Sequence, residues 1–200
     1  MSQTFLHCRT GLKIFGEGEW LEKKHKTKRK RHSWRKLHLG LDLASGEIVC
    51  SDITKDDIGD PTALPDLLDQ VDGPVSQFLG DGAYDGDPTS DLLAARFGST
   101  IEVTIPPPKN AILSTNEAKD PTARDCHIAD ITARGRMAWQ KATGYNQRSR
   151  VETLMGRWKT VIGPKLKARG FENQKTEAKI GVGILNRMTR LGRPNFERTA

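Results

Sequence analysis

The stretch Arg35 to Leu43, RKLHLGLDL, carries Leu37, Leu39, Leu41 and Leu43 at every second position. A helix would scatter four such leucines around its circumference, whereas a strand sends alternate side chains to one face. The run is therefore a strand with an apolar face that needs covering. Ala44-Ser45-Gly46 turns the chain into EIVCSDIT (47 to 54). Upstream, TFLHC (4 to 8) reads as a short strand, and TGLKIFGEGEW (10 to 20) as strand-like residues interrupted by a Gly-Glu-Gly turn. Together these segments predict an antiparallel meander.

The pattern then changes. Asp60-Pro61 suits a helix start, with Asp60 as the cap and Leu64, Leu67 and Leu68 on one face. VSQFLGD (75 to 81) reads as an apolar strand, DPTSDLLAARFG (87 to 98) as a second Pro-started helix, and IEVTIP (101 to 106) as another strand. Strand, helix, strand in this order predicts parallel strands joined to the meander, an α/β fold. Residues 106–133 are polar, Pro-rich and poorly periodic, which predicts a long loop or insertion. Two long helices follow, over about 134–162 and about 173–191 by their period and flanking Gly and Pro. One domain accounts for the 200 residues.

Charge is concentrated rather than spread. Residues 23–36, KKHKTKRKRHSWRK, hold nine Lys or Arg and no acid, so the net charge of +7 becomes −2 once those nine cations are taken away. Such a run, followed at once by strand residues, suits phosphate backbone and counterion release. Lys28, Arg29, Lys30, Arg31, Arg35 and Lys36 are the candidate contacts. The longest uncharged apolar stretches, such as IGVGIL (180 to 185), are too short for a bilayer, and the first residues lack a secretory core. The expected location is cytoplasmic. Cys8, Cys50 and Cys126 lack CxxC spacing and read as reduced thiols.

Two places concentrate chemistry. At about 100° per residue, Tyr145, Arg148, Glu152 and Lys159 form a polar stripe about 60° wide, beside an apolar sector holding Val151, Leu154, Met155 and Trp158. Asp81, between two glycines after a predicted parallel strand, projects toward the crevice where open α/β sheets bind ligands. Each has a plainer reading: Arg148 and Glu152 as a surface ion pair, Gly80-Asp81-Gly82 as a tight turn. Their coexistence with a phosphate-seeking segment favours the chemical one. Carboxylates in a basic setting suit Mg²⁺-dependent phosphodiester chemistry, with Arg and Lys gripping phosphates and Tyr145 stacking on an unpaired base or bonding a phosphate.

The order Tyr145, Arg148, Glu152, Lys159 is Y-x2-R-x3-E-x6-K. It resembles the signature of bacterial insertion-sequence transposases with a DDE active site. TGLKIFGEGEW, RKLHLGLDLASGEIV, GDGAYD and KARGFENQKTEAKIGVGILNRM resemble further family segments in the same order, over nearly the whole chain. The resemblance implies a ribonuclease-H-like mixed sheet flanked by helices, with Asp81 as the second catalytic, metal-binding acid and Glu152 as the third. It also implies that Tyr145, Arg148 and Lys159 handle transposon-end DNA. The implied cofactor is a Mg²⁺ pair, with Mn²⁺ as a substitute. The implied partners are transposon ends and target DNA, with a homodimer on DNA and a nucleoid-associated location in a bacterium.

The chain departs from that pattern at the first acid. HCRTGLK puts Cys8 where the family carries Asp, and a mostly protonated, soft thiol is a poor ligand for Mg²⁺. Asp42 is a weak substitute, better suited to ending its strand at the LASGE turn. Few residues precede Cys8, so the sequence resembles the carboxyl-terminal piece of a longer transposase. The expectation is a transposase domain with impaired strand cleavage and transfer. The alternative is a non-catalytic DNA-binding remnant that acts as an inhibitor or has no function.

Overall fold

The computed structural model describes residues 3–14 and 34–192. A six-stranded sheet lies at its centre. Strand β1 (Gln3–Ile14) pairs antiparallel with β2 (Trp34–Asp42), which pairs antiparallel with β3 (Ile48–Lys55). On its other side β1 pairs parallel with β4 (Val75–Leu79), and β4 with β5 (Glu102–Thr104). The order is β3-β2-β1-β4-β5, and the two-residue β6 (Lys165–Leu166) adds parallel to the far end of β1. Among the described residues six α-helices flank the sheet: α1 (Asp60–Leu68), α2 (Asp87–Phe97), α3 (Ala123–Arg134), α4 (Arg136–Ala142), α5 (Ser149–Val161) and α6 (Phe171–Arg190). A meander continued by parallel strands is the ribonuclease-H-like arrangement expected from the resemblance.

Both sheet faces are covered, more than the leucine alternation of β2 foretold. Leu37, Leu39 and Leu41 join Val151, Leu154 and Trp158 of α5 and Leu185 of α6 in one apolar cluster. Phe5, Phe78 and Tyr84 meet Leu64 and Leu67 of α1 and Leu93 of α2 in the other. The parallel strands bring crossover helices to the second face, so the alternate, polar positions of β1 and β2 are buried too.

The helix predicted over 134–162 is three pieces, preceded by the end of α3. Gly135 (φ 83°) and Gly144 (φ 71°) adopt backbone conformations that stop α3 and α4. Tyr145–Arg148 then form a 3₁₀ turn, and α5 begins only at Ser149. The loop or insertion expected over 106–133 is irregular to residue 122 and helical from Ala123. A reciprocal capping box between Thr122 and Asp125 starts that helix, a signal hidden in a polar stretch of low apolar period. Strand β1 runs unbroken through Gly11, so TFLHC and the start of TGLKIFGEGEW are one strand. Asp60 is the first helical residue rather than the cap, and its carboxylate pairs with Arg9 at 2.5 Å.

Candidate active site

Asp81 stands two residues beyond Leu79, and Cys8 two beyond Leu6. Leu6 and Leu79 are register partners, so Asp81 comes level with Cys8 on adjacent parallel strands. Asp81 both makes a tight turn and lines the cleft. Its Oδ1 accepts from the Ala83 N–H at 2.9 Å and caps the 3₁₀ turn Gly82–Tyr84. Its other oxygen lies 3.5 Å from the Arg148 guanidinium. The turn is tied to β1 by Tyr84, whose hydroxyl hydrogen-bonds His7 Nδ1 at 2.6 Å.

Across the cleft, Arg148 closes the 3₁₀ turn and Glu152 sits in the first turn of α5, where a carboxylate is favoured by the helix dipole. Arg148 Nη1 lies 3.6 Å from Glu152 Oε1, so one guanidinium spans the two acids expected to share metal. Glu152 is 74% exposed. Its ion pair alone is worth about 0.3 to 0.5 kcal/mol, far too little to explain the arrangement as a fold requirement. The cleft encloses about 810 Å³, and Cys8, Asp81, Arg148, Glu152 and Lys159 all line it.

Tyr145 is the exception among the stripe residues. Its ring is 9% exposed and packs at 5.3 Å, tilted, on buried Trp139. Burial raises its hydroxyl pKa. The 3₁₀ turn breaks the 100° spacing on which the stripe depended, so the ring is part of the packing and offers no open face to a base. Arg35 and Lys36 do line the cleft. Arg35 Nε donates to the buried Gln174 Oε1 at 2.9 Å, its guanidinium lies 5.5 Å from the Phe171 ring centre, and Lys36 Nζ donates to the Ile58 carbonyl. Lys28, Arg29, Lys30 and Arg31 lie outside the described residues.

Cys8 is 6% exposed, and its thiol donates to the Leu39 carbonyl at 3.6 Å. Burial raises its pKa strongly, against an opposing pull from Arg148, so the thiol stays protonated at neutral pH. A buried thiol is no match for a hard divalent cation, which takes oxygen ligands. Among the described residues, no three His, Cys, Asp or Glu side chains are grouped to hold a metal ion. The donors at this site therefore do not fit the divalent pair expected from the resemblance: two carboxylates share an arginine, and the third donor is soft and neutral. Asp42 offers no replacement. It pairs in register with Phe5, three residues (about 10 Å) along β1 from Cys8, and its carboxylate accepts from Ala44 N, Ser45 N and Ser45 Oγ at the turn after β2.

Several residues at the cleft escaped the sequence reading. Arg9, Gly11 and Trp34 line it. Behind it His7 and His38 stack at 5.6 Å between Tyr84 and Thr54. Alternation was the available signal: in β2, His38 falls on the face opposite the leucines, where only a second helical layer explains a buried ring. A family model described as a transposase DDE domain matches residues 2–187. With an acid at the end of a parallel strand, a second acid on the helix facing it, and that match over most of its length, the chain belongs to the DDE transposase domain family.

Proposed function

We propose that this chain is an insertion-sequence transposase catalytic domain that engages DNA in the cleft between β1 and α5 and is impaired in strand cleavage and transfer. Family members act on DNA and generally use divalent metals. Here Asp81 and Glu152 are the two remaining catalytic acids, and Mg²⁺, or Mn²⁺ in its place, is the ion that intact relatives would hold with a third. Arg148 and Lys159 face phosphates, helped by Arg35, Lys36 and the basic run Lys28 to Arg31. Tyr145, packed on Trp139, anchors the turn that carries Arg148. DNA ends and a second copy of the chain are the partners of this reading.

The observation that carries the impairment is Cys8: a buried, protonated thiol directed at the Leu39 carbonyl, level with Asp81. The bridging of Asp81 and Glu152 by Arg148 favours the related reading of a DNA-binding inhibitor, since one guanidinium already faces both acids and offsets part of their charge. The test uses DNA carrying the element's own ends. Purified protein should bind it with strong salt dependence and leave it intact with Mg²⁺ or Mn²⁺. Nicking by the wild-type chain that disappears in Asp81→Ala would refute impairment. Nicking gained by Cys8→Asp would separate an impaired transposase from an inhibitor that lacks more than one acid.

A further inference from the structure

With the Tyr145 ring packed away, the cleft is left with one aromatic side chain among the described residues that line it, Trp34. Trp34 is 38% exposed and belongs to neither apolar cluster. Its six-membered ring rests against β1 at Gly11, where an added Cβ would lie 3.2 Å from Trp34 Cε3. Glycine there lets the indole settle onto the strand. The cross-strand partner of Trp34 is Lys13, whose ammonium lies 5.4 Å from the ring centre. The indole thus has a fixed floor, a cation beside it, and Arg35 and Lys36 next along β2 in the same cleft wall.

We propose that Trp34 is a stacking platform for an unpaired nucleobase at the mouth of the cleft that holds Asp81 and Glu152. A nucleotide combines a flat π-face with an anionic phosphate, the complement of an indole with the Lys13 ammonium beside it in a cleft that Arg35 and Lys36 also line. The base is unpaired because both faces of a base inside a duplex are already stacked on its neighbours. Lys13 is the cation placed to meet that nucleotide's phosphate. The proposal rests on the DNA-binding reading and adds to it a single-stranded subsite.

The experiment compares three forms of one short duplex: blunt, with a thymidine overhang, and with the same overhang made abasic. The abasic form keeps every phosphate and removes only the bases. Wild-type protein should bind the thymidine overhang about tenfold tighter than the abasic one. Trp34→Leu, which keeps an apolar cross-strand partner for Lys13, should bind the two alike, and Trp34→Phe should keep part of the preference. A merely structural role for Trp34 would weaken all three forms together. If wild type binds thymidine and abasic overhangs equally, or if Trp34→Leu keeps the preference, the subsite is overturned while DNA binding stands. If no form is bound in a salt-dependent way, the DNA-binding reading falls and the subsite with it.

Discussion

His7 and His38 make the fold acid-sensitive above the range in which its carboxylates titrate. Both rings are buried, stacked on each other at 5.6 Å, and closed off by Tyr84 on one side and Thr54 on the other. Burial lowers their pKa values from the ordinary 6.5, to about 3 for His7 and about 4 for His38, and their neighbouring cations Arg9 and Lys36 add to the effect. Below pH 6.5 the unfolded chain takes up a proton at each ring and the folded chain does not, so stability falls with pH through this window. At about pH 5 both folded rings are still neutral, and each costs about 2 kcal/mol relative to neutral pH. The pair costs about 4 kcal/mol, against a typical total of about 5 to 15 kcal/mol. Carboxylates held below their usual range, such as Asp42 and Asp125, lose their contribution only at lower pH, while Asp60, raised by burial, runs the other way. Urea unfolding between about pH 7.5 and 5 measures the effect, and His38→Gln should remove about half of the slope. Unfolding free energies flat to within about 1 kcal/mol over that range would refute neutral burial of both rings.

Other predictions test the packing and the assignment of the acids. A methyl group at Gly181 would lie 2.5 Å from Trp158 Cη2, whereas one at Gly183 on the same helix meets nothing within 4 Å. Gly181→Ala should therefore destabilise by about 1 to 2 kcal/mol net of its helix propensity gain, and Gly183→Ala should stabilise by about 0.5 to 1 kcal/mol, both read from urea midpoints. Asp42→Ala removes three hydrogen bonds at the turn after β2 and should cost about 1 to 2 kcal/mol in thermal or urea unfolding while leaving DNA affinity unchanged, as expected of a turn residue rather than a metal ligand. Asp125 accepts from the backbone and hydroxyl groups of both Ser114 and Thr122. Asp125→Ala should free residues 106–122 to proteolysis, with cleavage sites mapped by mass spectrometry.

The legibility of the sequence followed the range of the forces involved. The meander, the parallel strands and α6 were readable because alternation and helical period are local consequences of burial. Asp81 and Glu152 were readable as candidates because a strand end and a helix face can be located from the same periods. The break at Gly144 was not: a glycine inside an apolar pattern is compatible with a helix, and only the packing of Tyr145 on Trp139 selects the left-handed conformation and the 3₁₀ turn. The burial of His38 was equally hidden, because it depends on α1 and α2 lying across a face that one strand's alternation marks as polar. Trp34 figured in the sequence only as one residue of the basic run. Its exposure beside Gly11 depends on a cross-strand register that no short-range pattern encodes.

In the proposed function Cys8 stands in place of the first acid, and its surroundings account for a fold kept without that acid. A carboxylate at that site would be almost fully buried and level with Asp81, with one guanidinium already shared between Asp81 and Glu152. Without a metal it would be a desolvated charge close to a like charge, an arrangement that costs stability. A thiol of similar size removes the charge, finds the Leu39 carbonyl, and packs in the cluster of Leu6, Leu39 and Met155. In the same proposed reading, that exchange withdraws a hard ligand from the metal site of intact relatives. The Asp81 turn and the Tyr84 to His7 tie that sets it do not depend on the side chain at residue 8, since neither hydrogen bond runs through it. On that reading stability and catalysis pull this one strand position in opposite directions, and a thiol serves the first at the expense of the second.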